Sequence, residues 1–285
     1  MLAKLTAASG SVHSELERGA ALLKDAGCET PRLDAELLLG ASLRVDRAAL
    51  VTGAREQVGP GPAARYAELL QRRARREPVA YVLGEKPFRR IVLSVDRRVL
   101  IPRPETELLV EVGLELATGA RVADVGTGSG AIALALASER PDLRLTGADV
   151  SEDALELARA NALALGLEVR WLHCDLLAGV ADEFDAILAN LPYVSVRESD
   201  NLAPEIVRHE PPLALFAGPD GLSLIRALLS QLAGRARVRF LALEVGAGQA
   251  REVAALMRAA GFRSVRAELD LAGIERVLVA EGRAA

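Results

Sequence analysis

Val122-Ala123-Asp124-Val125-Gly126-Thr127-Gly128-Ser129-Gly130-Ala131 is the stretch that decides the fold class of this 285-residue chain. The first four residues read as a short strand, the glycines as a tight turn, and Ala131–Ser138 as the helix that follows. The alternation continues downstream. Leu143–Asp149 reads as a strand, Glu152–Leu165 as a helix, and Phe184–Ala189 and Phe240–Val245 as further strands. Strands and helices in turn predict a parallel sheet with helices on both faces. The end departs from that pattern. Ser264–Leu269 and Ile274–Ala280 flank Ala272-Gly273 and predict a hairpin that makes one edge antiparallel.

The grammar upstream is different. Residues 11–76 read as helix, with no stretch alternating like a strand. Thr30 followed by Pro31 predicts an N-cap and a first helical position. A third helix is predicted over Pro62–Arg76, after the breaker Gly59-Pro60-Gly61. From Phe88 to Leu100 apolar and polar residues alternate, with Ile91, Leu93 and Val95 on one face, which predicts a β-hairpin. The expected organisation is a helical domain over 1–84, a β-hairpin linker over 85–104 and an α/β domain over 105–285.

Bulk properties narrow the function classes. The net charge of −4 argues against coating nucleic acid by bulk electrostatics. Cys28 and Cys174 have no partnered spacing, so neither a disulfide framework nor a cysteine-rich metal site is expected. His13, His173 and His209 are too scattered for a metal centre. Met1–Leu23 has no apolar run fit for a signal peptide, and no run of about 20 apolar residues occurs elsewhere. A soluble cytoplasmic protein, with no membrane association, is the expectation. Arg72, Arg73, Arg75 and Arg76 form the one dense basic cluster, read either as helix C-terminal cations or as a contact for an acidic partner.

The glycine loop Gly126–Gly130 lets a ligand approach the backbone at a helix N-terminus. With Ala131 it also satisfies the dinucleotide pattern, so a nicotinamide or flavin enzyme is a competing reading. Asp149, closing the second strand, can bind the hydroxyls of any ribose and does not separate the two. Asp124 does. A carboxylate beside the loop sits poorly against a pyrophosphate and suits the sulfonium and amino group of S-adenosylmethionine.

Asn190-Leu191-Pro192-Tyr193 ends the next major strand, where open α/β sheets bind ligands. An amide or exocyclic nitrogen is a weak nucleophile because its lone pair is delocalised. Two acceptors in one plane can draw on both N–H bonds and aim that lone pair. The side-chain oxygen of Asn190 and the carbonyl of Leu191 are the expected pair, with Pro192 stiffening the turn and Tyr193 offering a flat face. An ordinary strand-to-loop turn is the bland alternative.

Together these residues resemble the HemK-type peptide chain release factor N5-glutamine methyltransferases, over about Leu33 to Ala280. The shared stretches include Glu77–Gly84, the highly specific Leu100-Ile101-Pro102-Arg103-Pro104-Glu105-Thr106-Glu107, His209-Glu210-Pro211, and Leu243-Glu244-Val245-Gly246 with Gln249. The resemblance implies a helical domain that recognises the release factor, then a class I methyltransferase domain with a Rossmann-like seven-stranded sheet. It implies that Asp124, Gly126, Thr127, Gly128, Ser129, Gly130, Asp149, Asp175, Leu176 and Asn190 hold S-adenosylmethionine. Asn190 to Tyr193, with Arg103 and Glu105, would hold the glutamine of a Gly-Gly-Gln motif. Leu191 stands where the family usually has proline. A monomer without direct nucleic-acid binding is expected; a methyltransferase acting on adenine or guanine, and a binding protein with a decayed site, are the competing readings.

Overall fold

The computed structural model describes residues 10–283; residues 1–9, part of the opening read above as lacking a signal peptide, lie outside them. The chain divides into two compact units. One takes the residues up to Gly84 together with Ala203–His209, and the other takes Glu85–Leu202 with Glu210–Ala285.

In the first unit five helices follow one another: α1 (Val12–Asp25), α2 (Pro31–Leu43), α3 (Arg47–Thr52), α4 (Pro60–Ala74) and α5 (Val79–Leu83). Leu23, Leu38, Leu39, Tyr66 and Leu70 are fully buried in its core. Ser11 caps α1 by accepting from the Ser14 N–H. Thr30 does occupy the N-cap of α2, but its hydroxyl donates to Asp34 Oδ1 at 2.8 Å and caps no backbone donor. Pro31 is at the first helical position, as predicted. Pro60 corrects the reading of α4. It opens the helix two residues early, because a proline in the first turn removes an N–H that has no helical partner there. Helices α3 and α5 are too short for periodicity to announce; Asp46 caps α3 by accepting from Ala49 N at 2.8 Å.

The arginine cluster turns inward. Arg73, only 5% exposed, donates to Asp34 Oδ2 at 2.7 Å and to Glu205 Oε1 at 2.8 Å. Arg76 reaches Glu205 Oε2 at 2.6 Å, and Arg72 pairs with Glu77 and caps the carbonyls of Tyr81 and Val82. Burial alone would raise the Glu205 carboxyl, yet Arg76 and Arg73 override it and hold it down at about 2. Removing one partner from such a buried set typically costs about 3–5 kcal/mol, because a charge is left behind. Arg75 donates to Gln71 O at 3.1 Å, so all four arginines are engaged within the first unit. Arg72 and Arg73 do lie in the last turn of α4, as the helix C-terminal reading had it, and the ion pairs of the cluster are what the sequence did not announce.

The second unit opens with a hairpin, β1 (Glu85–Phe88) and β2 (Ile91–Ser94), turning at Arg89 and Arg90. It starts at Glu85, three residues before the alternation read from Phe88, and ends at Ser94, short of Leu100. Phe88, Ile91 and Leu93 are buried in the core of this unit, so residues 85–94 are an integral part of it, where a linker was expected. Then come α6 (Glu107–Leu114), β3 (Arg121–Val125), α7 (Ala131–Glu139), β4 (Arg144–Asp149), α8 (Glu152–Leu165), β5 (Arg170–His173) and β6 (Ala186–Ala189). Helix α9 (Pro204–His209) falls in the first unit; α10 (Ser223–Gln231), β7 (Phe240–Glu244), α11 (Ala250–Ala259), β8 (Phe262–Leu269) and β9 (Glu275–Arg283) complete the second.

Seven strands form one sheet in the order β5-β4-β3-β6-β7-β9-β8. Neighbours from β5 to β7 pair parallel, while β9 runs antiparallel to both β7 and β8. Successive residues serve opposite faces. Ile187, Leu241 and Leu243 join α10 and α11 in one core, whereas Leu188 and Ala242 join α6 and α7 in the other. That is why β3, β6 and β7 are nearly continuous apolar runs. Ser151 starts α8 by accepting from Ala154 N, and Gly166 ends it with a left-handed φ of 66°. The chain winds from β3 to one side through β4 and β5, then returns beside β3 as β6. This reversal leaves a crevice at the carboxyl ends of β3 and β6, where open α/β sheets bind ligands. No helix among the described residues is long and apolar enough to cross a membrane.

Candidate active site

A cleft of about 350 Å³ occupies that crevice, within the size range of small-molecule sites. Gly126, Thr127, Gly128, Ser129 and Asp149 line one side; Asp175, Leu176, Asn190, Leu191 and Pro192 line it as well. Two motifs more than sixty residues apart in sequence thus share one cavity. A wider depression of about 760 Å³, beside Arg121, Arg144 and Glu168, lies at the amino ends of the strands, away from both motifs.

The glycine loop is fastened through its backbone. Gly126 N and Thr127 N donate to Ala148 O at 2.8 and 3.0 Å. Gly128 N donates to Asp149 Oδ2 at 2.9 Å, and Asp149 Oδ1 accepts from Ser151 N at 2.9 Å. Burial raises the Asp149 carboxyl above its ordinary value, with these backbone donors pulling the other way. Gly128 has φ 54°, and a Cβ built there would meet nothing within 4 Å, so the backbone faces open space. Gly130 is the N-cap of α7 and lies outside the cleft lining.

Asp124 is placed differently from the reading that put it against the ligand. It is 1% exposed and outside the cleft lining. Its Oδ2 accepts from Thr127 Oγ1 at 2.6 Å and from Ala133 N at 3.2 Å, bracing the loop to the start of α7, while Oδ1 has no protein partner. Burial drives its pKa up to about 7 against those two bonds.

Leu176 holds a left-handed backbone at φ 54°, a conformation that costs a non-glycine residue about 1–3 kcal/mol and concentrates at ligand sites. Neighbouring bonds fix it. Leu177 N donates to Gln231 Oε1 at 2.7 Å, and Arg235 Nη2 donates to Leu177 O at 2.9 Å.

Behind the tetrad stands a chain of buried groups. Asn190 Nδ2 donates to Thr106 Oγ1 at 3.0 Å, and Thr106 Oγ1 donates to Glu244 Oε2 at 2.7 Å. Tyr193 OH donates to Glu244 Oε1 at 3.2 Å. Gln249 Nε2 donates to Tyr193 O at 3.0 Å while its Oε1 accepts from Gly246 N. Burial pushes Glu244 up to about 7 although both hydroxyls donate to it. Tyr193 is outside the cleft lining, its hydroxyl committed to Glu244, so the flat platform expected of it is not at the cleft wall.

Arg103 and Glu105 are also outside the lining, although Pro102 and Thr106 on either side are in it. Arg103 Nη2 donates to Glu210 Oε1 at 2.6 Å, and Glu210, 3% exposed, accepts from Ile101 N at 3.3 Å through its other oxygen. This pair ties the Ile101–Arg103 strip to the loop at Glu210. Thr106, Glu244 and Gln249 were quoted from the sequence without roles. A carboxylate closing the apolar run Phe240-Leu241-Ala242-Leu243 was the available signal, since an acid is almost never fully buried unless paired.

Leu191 is 3% exposed and belongs to the core cluster containing Val125 and Leu243. The expectation that position 191 serves through its backbone carbonyl predicts that Leu191→Pro keeps activity within a few-fold, because proline retains that group. The lost packing of a buried leucine should cost about 1–3 kcal/mol. Single-turnover transfer and a thermal melt on both forms check this; a well-folded variant slowed about a hundredfold would show that the Leu191 side chain or N–H takes part.

This sheet order, with its reversed β9 and a glycine-loop cleft at the carboxyl ends, defines a class I methyltransferase. The hMettl16 catalytic domain, solved with a MAT2A 3′UTR hairpin, has the same fold: TM-score 0.53 at 15% identity over 77% of this chain and 81% of that one. Residues 15–84 match the PrmC N-terminal domain and residues 104–214 the methyltransferase small domain. Release factor glutamine methyltransferase of Rhodospirillum rubrum is 43% identical over 275 residues, 95% of this chain and 85% of that protein. Those of Caulobacter vibrioides and Deinococcus radiodurans are 41% and 40% identical, over 90% and 92% of this chain and 91% and 95% of theirs. The chain belongs to the release factor glutamine methyltransferase family.

Proposed function

We propose that this protein transfers the methyl group of S-adenosylmethionine to the side-chain nitrogen, N5, of the glutamine in the Gly-Gly-Gln motif of peptide chain release factors. It does so as a cytoplasmic monomer. The observation that carries the reading is the meeting of Asn190, Leu191 and Pro192 with Gly126–Ser129 and Asp149 in one cleft. The residues fit the cofactor. Open space over Gly128 admits a ligand against the backbone, the Asp149 carboxylate suits ribose hydroxyls, and Leu176 and Ile132 offer apolar walls to a base.

The bound cofactor supplies an electrophilic methyl carbon on a sulfonium. The chain's own groups supply position. Asn190 Oδ1 and the Leu191 carbonyl accept from the two N–H bonds of the target amide and hold its nitrogen in line. The amide nitrogen would take up the methyl carbon of bound cofactor, the C–S electron pair would stay on sulfur, and the displaced amide proton would leave to solvent. Orientation of the amide by these two acceptors accounts for the rate without a strong base.

Two measurements test this. Calorimetry should show S-adenosylmethionine and its demethylated product binding, and NAD failing to bind; the reverse pattern would sink the assignment. Mass spectrometry of a release factor incubated with enzyme and labelled cofactor should place one methyl group on the Gly-Gly-Gln glutamine. Label in RNA or DNA, with none in the release factor, would support the adenine or guanine reading.

A further inference from the structure

The orientation of one side-chain amide is set by Thr106, at the wall of the cleft, and by Glu244 behind it. Asn190 is useful as an acceptor only if Oδ1 faces the cleft, and the two ends of an asparagine amide are nearly equal in size. Something must choose between them. Thr106 has one hydroxyl proton. At 2.7 Å that proton goes to Glu244 Oε2, so the oxygen presents only lone pairs to Asn190. A lone pair accepts from Nδ2, at 3.0 Å, and repels Oδ1. Glu244 makes the choice firm because its second oxygen is occupied by the Tyr193 hydroxyl. Thr106 and Glu244 are 3% and 2% exposed, so little water is at hand to supply a substitute.

We infer that Glu244, acting through Thr106, is a positioning residue that locks Asn190 with its oxygen toward the cleft and so selects a nucleophile bearing N–H bonds. The inference rests on the amide-methylating reading above and adds the device that sets the acceptor's polarity. With Asn190 flipped, an NH₂ group would meet the target's own N–H donors, and the cleft would repel the group it methylates.

The lock works only while Glu244 accepts at both oxygens. A protonated Glu244 has a proton to donate, to Thr106 or to Tyr193. Given to Thr106, it releases the threonine hydroxyl to turn toward Asn190 and favours the flip. Glu105 opposes the Glu244 charge, and Arg276 on β9 favours it; Thr106 and Tyr193 stabilise it by hydrogen bonds. Burial outweighs these and brings the group to about 7, so transfer should rise as pH increases through that region.

The test uses the full-length protein with a release factor, labelled cofactor, and ¹⁵N-labelled samples for the side-chain amide signal of Asn190. Glu244→Gln and Thr106→Val should each slow single-turnover transfer by about 10–100-fold, with cofactor binding changed less than twofold. Thr106→Ser, which keeps the hydroxyl, should recover most of the rate. The double variant should be no slower than the worse single one, as expected of residues acting as one unit. Glu244→Gln should abolish the rise near pH 7 and shift the Asn190 amide signal. That signal is read without substrate, so it tests the lock even if the wild-type protein methylates no release factor, an outcome that overturns the functional reading alone. Folded Glu244→Gln protein with an unmoved Asn190 signal, or with wild-type transfer and pH profile, overturns the inference.

Discussion

Asn190→Ala should lower single-turnover transfer to a release factor by about 10²–10³-fold while changing cofactor affinity little, the loss usual for one positioned hydrogen-bonding group. The separation of the two effects follows from where the side chain is held. Asn190 lines the cleft, but its bond is to Thr106, whereas the loop Gly126–Gly128 is fastened through Ala148 and Asp149. Truncation removes the acceptor and leaves the loop untouched. Parallel measurement of transfer rate and cofactor Kd decides it. Transfer within a factor of a few of the wild type would mean that the nucleophile is held elsewhere.

Gly221→Ala should also be damaging, although Gly221 is absent from the cleft lining. Its φ is 74°, and a Cβ there would lie 2.1 Å from the carbonyl oxygen of Tyr193. That oxygen is backbone and already accepts from Gln249 Nε2. No side-chain rotation relieves the clash, so either Gly221 or the tetrad must move. The left-handed conformation alone costs alanine about 1–2 kcal/mol. A displacement of about 1 Å at reacting groups is enough for a hundredfold loss of rate. Transfer should therefore fall about a hundredfold, with a melting temperature lowered by several degrees. Wild-type transfer in Gly221→Ala would show that the 221 segment yields without moving Tyr193.

The sequence made the sheet readable because period and punctuation agreed there. Apolar runs ending in Gly126, Asp149 and Asn190 were each followed by turn or helix signals, and α8 is found at its predicted bounds, Glu152–Leu165. Of the two edge strands, β8 was read within two residues as half of the terminal hairpin, and β5 was not read at all. Arg170–His173 is half-exposed and charged, so β5 carries no apolar signature of its own. Pro60 misled because its meaning depends on whether a helix begins or ends there. At the site, backbone features were legible and side-chain partnerships were not. Asp124 reads as a free carboxylate beside a loop, yet Thr127 and Ala133 occupy one of its oxygens. Tyr193 reads as a platform, yet its hydroxyl answers to Glu244, fifty-one positions away. Spacing along the chain cannot reveal such pairs, because strand order in the sheet makes them.

The return of Ala203–His209 to the first unit has a consequence for synthesis. During translation the helices up to Gly84 emerge first, and Arg73 then has Asp34 but not Glu205. Glu205 is added only after strands β1 to β6 have been made, a delay on the order of ten seconds at typical elongation rates. Until then the nascent N-terminal portion lacks the carboxylate that Arg73 and Arg76 share, and this last fastening comes from a segment between β6 and β7. An isolated fragment ending at Gly84 would remain in that half-finished state, less stable than the same helices in the completed chain.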